Sequence, residues 1–256
     1  MKKQKRSIIL GWLYPTLMST YGDRGNVICL SKRCLWRETN LEILRIDVTT
    51  PASELKKVDL FFGGGAQDWE QEIVMRDLSH KKGKIMKERI KNNVPALFVC
   101  GSPQLMGKYY EPSEGKRIDG VGIFDMVSIH PGKNVARCIG NIVAKVQLDG
   151  LNGYIVGFEN HGGRTYLGKT AKPFAQVVKG YGNNGTDGTD GTEGVIYKNA
   201  IGCYFHGPLL PKNPHVADWL IKKALEVKYK EKIELLPLND ELEEKAQNFM
   251  LNRLKI

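Results

Sequence analysis

An alternation of short apolar segments with amphipathic ones over the first hundred residues constrains the fold most. Ile8–Leu13 and Ala96–Val99 are apolar runs of strand length, and Leu41–Val48 alternates and is rich in branched residues. Gly25–Glu38 carries apolar side chains at helical spacing, and Val58–Phe62 is a further strand that ends in three glycines. This β-α-β order predicts a parallel sheet with its functional residues at the carboxyl ends of the strands.

The second half of the chain changes to short strands separated by turn residues. Between two of these strands, residues 185–193 form three triplets of the type Gly-Thr-Asp/Glu. They favour a hairpin tip, because a calcium-binding β-helix needs a nonapeptide period over several turns. Two helices follow, one capped at Asn213 and one at Asp240. We therefore expect a domain over residues 1–228 and a C-terminal helical extension over residues 229–256.

The composition predicts a soluble globular protein. Of the 256 residues 41% are hydrophobic, and no apolar run approaches the roughly 20 residues of a membrane span. The net charge of +10 would suit an anionic partner, but no nucleic-acid motif accompanies it, so we expect no nucleic-acid binding. The five cysteines include no C-x-x-C pair, which argues against a disulfide framework or a metal site and indicates the reducing cytoplasm.

Cys100 is the first candidate for chemistry. It follows the apolar strand directly and precedes Gly101-Ser102-Pro103, where the proline can open a helix. Such a strand-to-helix elbow exposes a nucleophile on a tight turn and directs the following backbone N–H groups at the reacting atoms. A helix N-terminus also favours the thiolate. The alternative is a small buried hydrophobic side chain, which the elbow makes the weaker interpretation.

Two further elements are predicted at the same edge of the sheet. The glycines at 63–65 let backbone N–H groups approach a ligand closely, as an oxyanion hole requires. His206 follows the apolar strand Ile201–Phe205 and can accept the thiol proton and then protonate a leaving amine. His161 is a rival, because its glycine-rich surroundings suit a binding loop and a structural turn equally.

Taken together, these motifs resemble a known family. The segments are YGDRGN at 21–26, GGG at 63–65 with QDWEQ at 67–71, the Cys100 elbow, GFENHGGRT at 157–165 and HGPLLPKN at 206–213. They resemble the glutaminase subunits of lipid II isoglutaminyl synthase, which belong to the cobyric-acid-synthase-like class I glutamine amidotransferases. The resemblance runs from about residue 8 to 228. Two departures are Ser102, where class I enzymes usually have glycine, and Ala66, which lengthens the glycine loop by one residue.

The resemblance implies a flavodoxin-like class I amidotransferase domain, an α/β fold with a mixed sheet flanked by helices. It implies that Cys100 forms a glutamyl thioester and that His206 is the general acid and base. Arg137 would bind the α-carboxylate of glutamine bidentately, the alternative being an ordinary surface charge. The remaining residues expected to bind substrate are Gly64, Gly65, Gly101 and Gln104.

The family's second subunit is a Mur-ligase-like, MurT-type protein that uses ATP to amidate the α-carboxyl of D-glutamate in lipid II. The resemblance therefore implies a heterodimer, with no cofactor in this chain and with glutamine and, through the partner, lipid II as substrates. It also implies a place in the cytoplasm at the inner membrane face, which suits the basic charge balance. The alternatives are a glutaminase subunit for another acceptor, as in cobyrinate-type amidation, and a non-catalytic interaction domain of the same fold.

The local sequence around His206 supplies only a Cys-His dyad. Many class I glutaminases have a glutamate two residues after the histidine, where this chain has Pro208. An orienting acid would be Glu159 or Asp23 of this chain, or an acid of the partner. We expect the isolated chain to turn over slowly, and the single replacement of either carboxylate not to mimic loss of His206.

Overall fold

The computed structural model describes residues 5–185 and 190–256. The elements of the first half are β1 (Ser7–Leu13), α1 (Arg24–Trp36), β2 (Asn40–Ile46), β3 (Leu60–Gly63), α2 (Asp68–Asp77), α3 (Gly83–Lys91), β4 (Ala96–Val99) and α4 (Gly101–Met106). Those of the second half are β5 (Tyr109–Glu111), β6 (Ile118–Asp119), β7 (Met126–Ile129), β8 (Cys138–Leu148), β9 (Leu151–His161), β10 (Arg164–Leu167), β11 (Ala175–Lys179), β12 (Thr192–Glu193), β13 (Val195–Tyr197), β14 (Ala200–Cys203), α5 (Leu209–Lys212), α6 (Pro214–Tyr229) and α7 (Glu241–Leu254).

A six-stranded mixed sheet forms the centre, in the order β13-β14-β4-β3-β1-β2. Its five strands from β2 to β14 run parallel, and β13 pairs antiparallel at one edge. The order β2-β1-β3-β4-β14 is the flavodoxin-like order, in which ligands bind at the carboxyl ends of the strands. Those ends carry the glycine loop after β3, Cys100 after β4 and His206 after β14.

Apolar side chains fill both faces of this sheet. In β4, Leu97 and Val99 join a core cluster with residues of α1 and α6, whereas Ala96 and Phe98 join a second cluster with residues of α2 and α3. All four side chains are fully buried. Such continuous apolar strands are typical of a parallel sheet covered on both faces, which is why the sequence predicts these strands well.

Two smaller four-stranded sheets complete the fold, in the orders β10-β7-β5-β6 and β12-β11-β8-β9. The long hairpin of β8 and β9 pairs Cys138 with His161, so residues just before β8 lie beside the end of β9. This register brings Arg137 next to Asn160. The chain then turns at 162–163 into β10.

A π-helical turn, Leu78–Lys82, connects α2 and α3, and His80 leaves the helical conformation within it. The predicted strand Ile201–Phe205 ends at Cys203. Of the triplet segment, residues 186–189 lie outside the described residues, so the predicted hairpin tip stays a prediction.

The C-terminal segment after α6 returns across α1. Arg33 of α1 is 1% exposed and binds the carboxylates of Asp218 and Asp240 at 2.6 Å each. Helix α7 follows and packs on α5 and β9. Within residues 5–185 and 190–256, no helix has the length and apolar character needed to cross a membrane.

Candidate active site

Cys100 forms the turn between β4 and α4. Its φ of +58° is unusual for a residue with a side chain, and its N–H donates to the carbonyl of Cys203 at 2.8 Å. Gly101 begins the helix at once, and the thiol borders the main cavity of the site. Strand, strained turn and helix thus have the geometry of a nucleophile elbow.

His206 lies three residues past the end of the neighbouring strand β14. Its backbone N–H donates to the carbonyl of Phe158 at 2.7 Å, and the imidazole is fully buried. Nδ1 lies 3.3 Å from Oδ1 of Asp23, and Nε2 has no hydrogen-bond partner of normal geometry among the described residues. Burial opposes protonation, but Cys100 and Asp23 outweigh it and raise the pKa of His206 to about 10. His206 is therefore held as an imidazolium, which can donate a proton.

Asp23 directly precedes α1 and is fully buried. Its Oδ1 faces His206, and its Oδ2 accepts the backbone N–H of Gly65 at 2.7 Å. The carboxylate is thus fixed from both sides. Glu159, the other carboxylate considered from the sequence, accepts the N–H groups of Tyr181 and Gly182 instead.

Gly65 separates the nucleophile from the histidine. A Cβ at this position would stand 3.2 Å from Cβ of Cys100 and 3.1 Å from Cε1 of His206, which is closer than side chains usually approach. The N–H of Gly65 donates to Asp23, so the predicted contact of Gly65 with substrate does not use this group and stays a prediction.

Ser102 anchors the glycine loop at 63–65 through a hydrogen bond. Its hydroxyl donates to the carbonyl of Gly64 at 2.6 Å, and both groups are buried. The serine that departs from the usual class I pattern therefore anchors the loop. Gly64 has no room for a side chain either, because a Cβ would stand 2.5 Å from the carbonyl oxygen of Met18.

A cavity of about 730 Å³ opens next to Cys100. Of the residues predicted to bind substrate, Gln104 and Arg137 line it, whereas Gly64, Gly65 and Gly101 do not. Ala66 lines it in place of the glycines, and its backbone nitrogen stands 3.0 Å from where a Cβ of Gly101 would be.

Gln104 belongs to a buried hydrogen-bonded chain. Its carboxamide oxygen accepts from Gln71 at 3.1 Å, and its amide donates to the hydroxyl of Tyr204 at 3.2 Å. The Tyr204 hydroxyl also bonds the hydroxyl of Thr165 at 2.7 Å. These contacts fix the carboxamide of Gln104 in the cavity wall.

Arg137 lines the same cavity. Its Nε donates to Oδ1 of Asn160 at 3.1 Å and its Nη2 to the carbonyl of Asn160 at 3.2 Å. Arg137 is exposed, and Asn160 holds its side chain at the cavity, so its role in binding a carboxylate stays a prediction. His161 also lines the cavity, where its ring stacks on Tyr204 at 3.8 Å and its Nδ1 bonds the carbonyl of Gly163.

Sequence reasoning missed three residues of the site. Tyr21 packs its ring edge on His206, with 4.9 Å between ring centroids, and Ala66 and Gln71 line the cavity. Tyr21 and Gln71 fall within motifs recognised in the sequence, but nothing local assigns them a place near Cys100. Among residues 5–185 and 190–256, no group of three or more His, Cys, Asp or Glu side chains could hold a metal ion.

The site combines a flavodoxin-like sheet, a cysteine elbow and a buried histidine that contacts a buried aspartate. These features define a cysteine-dependent amidotransferase domain of the class I type. The family model of the CobB/CobQ-like glutamine amidotransferase domain matches residues 10–214. Lipid II isoglutaminyl synthase subunit GatD of Streptococcus pneumoniae is 39% identical over 228 residues, which cover 89% of this chain and 84% of that protein. GatD of Staphylococcus aureus is 37% identical over 211 residues, 82% of each chain.

The chain therefore belongs to the CobB/CobQ-like glutamine amidotransferases, and within them to the GatD family. Its predicted class of enzyme is confirmed by this membership. By contrast, the cobyric acid synthase of Desulforamulus reducens is 30% identical over 121 residues, which span 43% of this chain and 24% of that protein.

Solved structures agree on the fold. One glutamine amidotransferase superimposes with a TM-score of 0.55 at 14% identity, over 84% of this chain and 98% of the other. A glutamine amidotransferase from Thermotoga maritima superimposes with a TM-score of 0.52 at 17% identity, over 98% and 96%. The predicted fold class is thereby confirmed.

Proposed function

We propose that this chain hydrolyses glutamine through Cys100 and His206 and supplies the ammonia to a Mur-ligase-like partner that amidates lipid II. One observation carries the proposal: Cys100 and His206 lie on either side of Gly65, and Cys100 borders a cavity that Arg137 also lines. Both GatD relatives are named as a subunit of glutamine-hydrolysing lipid II isoglutaminyl synthase.

Glutamine would bind in the cavity that Cys100 and Arg137 line. The α-carboxylate pairs with the guanidinium of Arg137, which suits a planar carboxylate bidentately. The side-chain carboxamide then lies toward Cys100. We assign the oxyanion to the N–H groups of Gly101 and Ala66, because the N–H of Gly65 is occupied by Asp23.

The chemistry follows from the raised pKa of His206. The Cys100 thiolate attacks the carboxamide carbon and forms a C–S bond. When the tetrahedral intermediate collapses, the His206 imidazolium gives its proton to the carboxamide nitrogen, the C–N bond breaks and ammonia departs. His206 then takes a proton from water as that water attacks the thioester. Glutamate leaves, and the thiolate and imidazolium are restored.

The partner side of the proposal rests on family membership. The ammonia would pass to a MurT-type subunit within a heterodimer, and that subunit would consume ATP to activate the α-carboxyl of D-glutamate in the lipid II peptide. Lipid II would bring the complex to the inner membrane face, where the net charge of +10 favours anionic headgroups. This chain itself would need neither a metal nor a cofactor.

Transfer of labelled nitrogen tests the whole proposal. The purified chain and its MurT-type partner are incubated with ATP, lipid II and glutamine carrying heavy nitrogen in its carboxamide, and the label in lipid II is measured by mass spectrometry. We expect label with the wild type and none with Cys100→Ala, whereas free ammonium should rescue the variant. Glutamine hydrolysis without label in lipid II would redirect the proposal to another acceptor. No hydrolysis by the complex would refute it.

A further inference from the structure

Three side chains from distant parts of the chain form one hydrogen-bonded line along the cavity wall. Arg137 donates from Nε to Oδ1 of Asn160 at 3.1 Å, and Asn160 donates from Nδ2 to the hydroxyl of Tyr21 at 2.9 Å. All three side chains line the cavity beside Cys100. We call Tyr21, Asn160 and Arg137 the strap.

Asn160 occupies one defined edge of the Arg137 guanidinium. Its side-chain oxygen takes the Nε donor and its backbone carbonyl takes an Nη2 donor, so the side edge is fully used. The end edge, formed by Nη1 and the second N–H of Nη2, stays available for a carboxylate. Asn160 therefore determines the direction in which Arg137 presents its remaining donors.

Tyr21 connects this arrangement to the histidine. Its ring edge meets the His206 imidazole at a centroid distance of 4.9 Å and an interplanar angle of 75°. Its φ of +55° is rare for a bulky residue, yet the ring is 49% exposed and contributes little to the core. Backbone strain of this kind persists where surrounding contacts fix it, and it concentrates at functional sites.

We infer that Tyr21 and Asn160 are positioning residues, which join the glutamine-carboxylate site at Arg137 to the general acid His206. Asn160 aims the guanidinium, and Tyr21 holds the imidazole against Asp23. Because one hydrogen bond joins the two, a carboxylate bound at Arg137 also stabilises the productive position of His206. The inference rests on the proposed glutamine hydrolysis and adds a specificity mechanism, since ligands without an α-carboxylate would lose turnover as well as affinity.

Two variants separate this role from a merely structural one. Asn160→Ala removes both side-chain bonds of the strap, and Tyr21→Phe removes the hydroxyl but keeps the ring against His206. Tyr197→Phe is the matched control, because Tyr197 is a partly exposed tyrosine at the edge strand β13 outside the cavity. Glutamine turnover is measured in the complex with the partner, together with alkylation of Cys100 by iodoacetamide and by a diazoketone analogue of glutamine.

We expect Asn160→Ala to raise KM about fivefold to tenfold, as the loss of roughly one hydrogen bond predicts, and to lower kcat as well. Tyr21→Phe should lower kcat severalfold, and the double variant should cost less than the product of the two single effects. Both variants should slow the diazoketone much more than iodoacetamide, which carries no carboxylate. Melting temperatures should match that of Tyr197→Phe.

Other outcomes overturn the inference. If both variants behave like Tyr197→Phe, or if they slow both alkylating reagents equally, the strap does not link the two sites. Wild-type hydrolysis in the same assay, abolished by Cys100→Ala, shows that the proposed function itself stands. If the wild type fails to hydrolyse glutamine, the proposed function fails, and the inference falls with it.

Discussion

Nδ1 of His206 lies 3.3 Å from Oδ1 of Asp23, although 183 positions separate the two residues. Both side chains are fully buried, and the second oxygen of Asp23 is fixed by the N–H of Gly65. The turn before α1 thus supplies a carboxylate in the place where triad enzymes orient their histidine.

Asp23→Asn is expected to lower kcat by about two to four orders of magnitude, because an amide cannot stabilise the imidazolium and favours the wrong tautomer. This replaces the sequence-based expectation that loss of Asp23 would not mimic loss of His206. The measurement is glutamine turnover with and without the partner, and Asp119→Asn on the exposed surface is the control. Full activity of Asp23→Asn in the complex would assign the orienting acid to the partner.

Local sequence predicts some residues of the candidate site and misses others. The Cys100 elbow and the position of His206 follow from apolar strands that end at these residues, so the sequence predicts both. Asp23 and Glu159 are equivalent as sequence candidates, since each lies in a recognised motif. Only the packing of α1 against the carboxyl edge of the sheet brings Asp23 to His206, and such packing leaves no local signal. The same holds for Tyr21 and for the use of the Gly65 N–H.

Arg137→Ala is expected to weaken glutamine binding by about 1.5–3 kcal/mol, the value of a charged hydrogen bond, and to raise KM by roughly 10-fold to 150-fold. Arg137→Lys should recover only part of this loss, because lysine cannot bind a carboxylate bidentately. Saturation curves for glutamine provide the measurement. A normal KM in Arg137→Ala would return this residue to an ordinary surface charge.

Ser102→Ala is expected to reduce stability by about 1–3 kcal/mol, since the buried carbonyl of Gly64 loses its partner. It should also lower kcat more than it raises KM, because the loop beneath Cys100 and His206 becomes less fixed. Urea unfolding and glutamine kinetics check the two parts. Ser31→Ala, which removes a hydroxyl bond within α1, is the matched control and should leave kcat unchanged.

Glu193 predicts a dependence of stability on pH. Burial raises the pKa of this carboxyl to about 8, so the folded state binds a proton that the unfolded state releases near pH 4.5. The folded state therefore holds more protons across this interval, and the free energy of unfolding should fall as pH rises from about 5 to 8. His206 also lowers the free energy of unfolding at higher pH, so the informative quantity is the difference in free energy of unfolding between the wild type and Glu193→Gln. From pH 5 to 8 the variant should gain stability relative to the wild type. A constant difference across this range would contradict the assignment.

Two truncations of the C-terminal segment test the ion pair between Arg33 and Asp240. Helix α7 buries none of its residues, and Leu242 and Phe249 are 78% and 64% exposed. Asp240, just before the helix, binds the buried guanidinium of Arg33. Removing residues 243–256 keeps this ion pair and should change the melting temperature little. Removing residues 239–256 leaves Arg33 with Asp218 alone and should lower the free energy of unfolding by about 1.5–3 kcal/mol. Calorimetry of both truncations, with binding of the proposed MurT-type partner measured in parallel, decides between two roles for the segment. Equal loss of partner binding in both, with unchanged melting temperatures, would show that α7 serves the partner and that the Arg33 ion pair contributes little to stability.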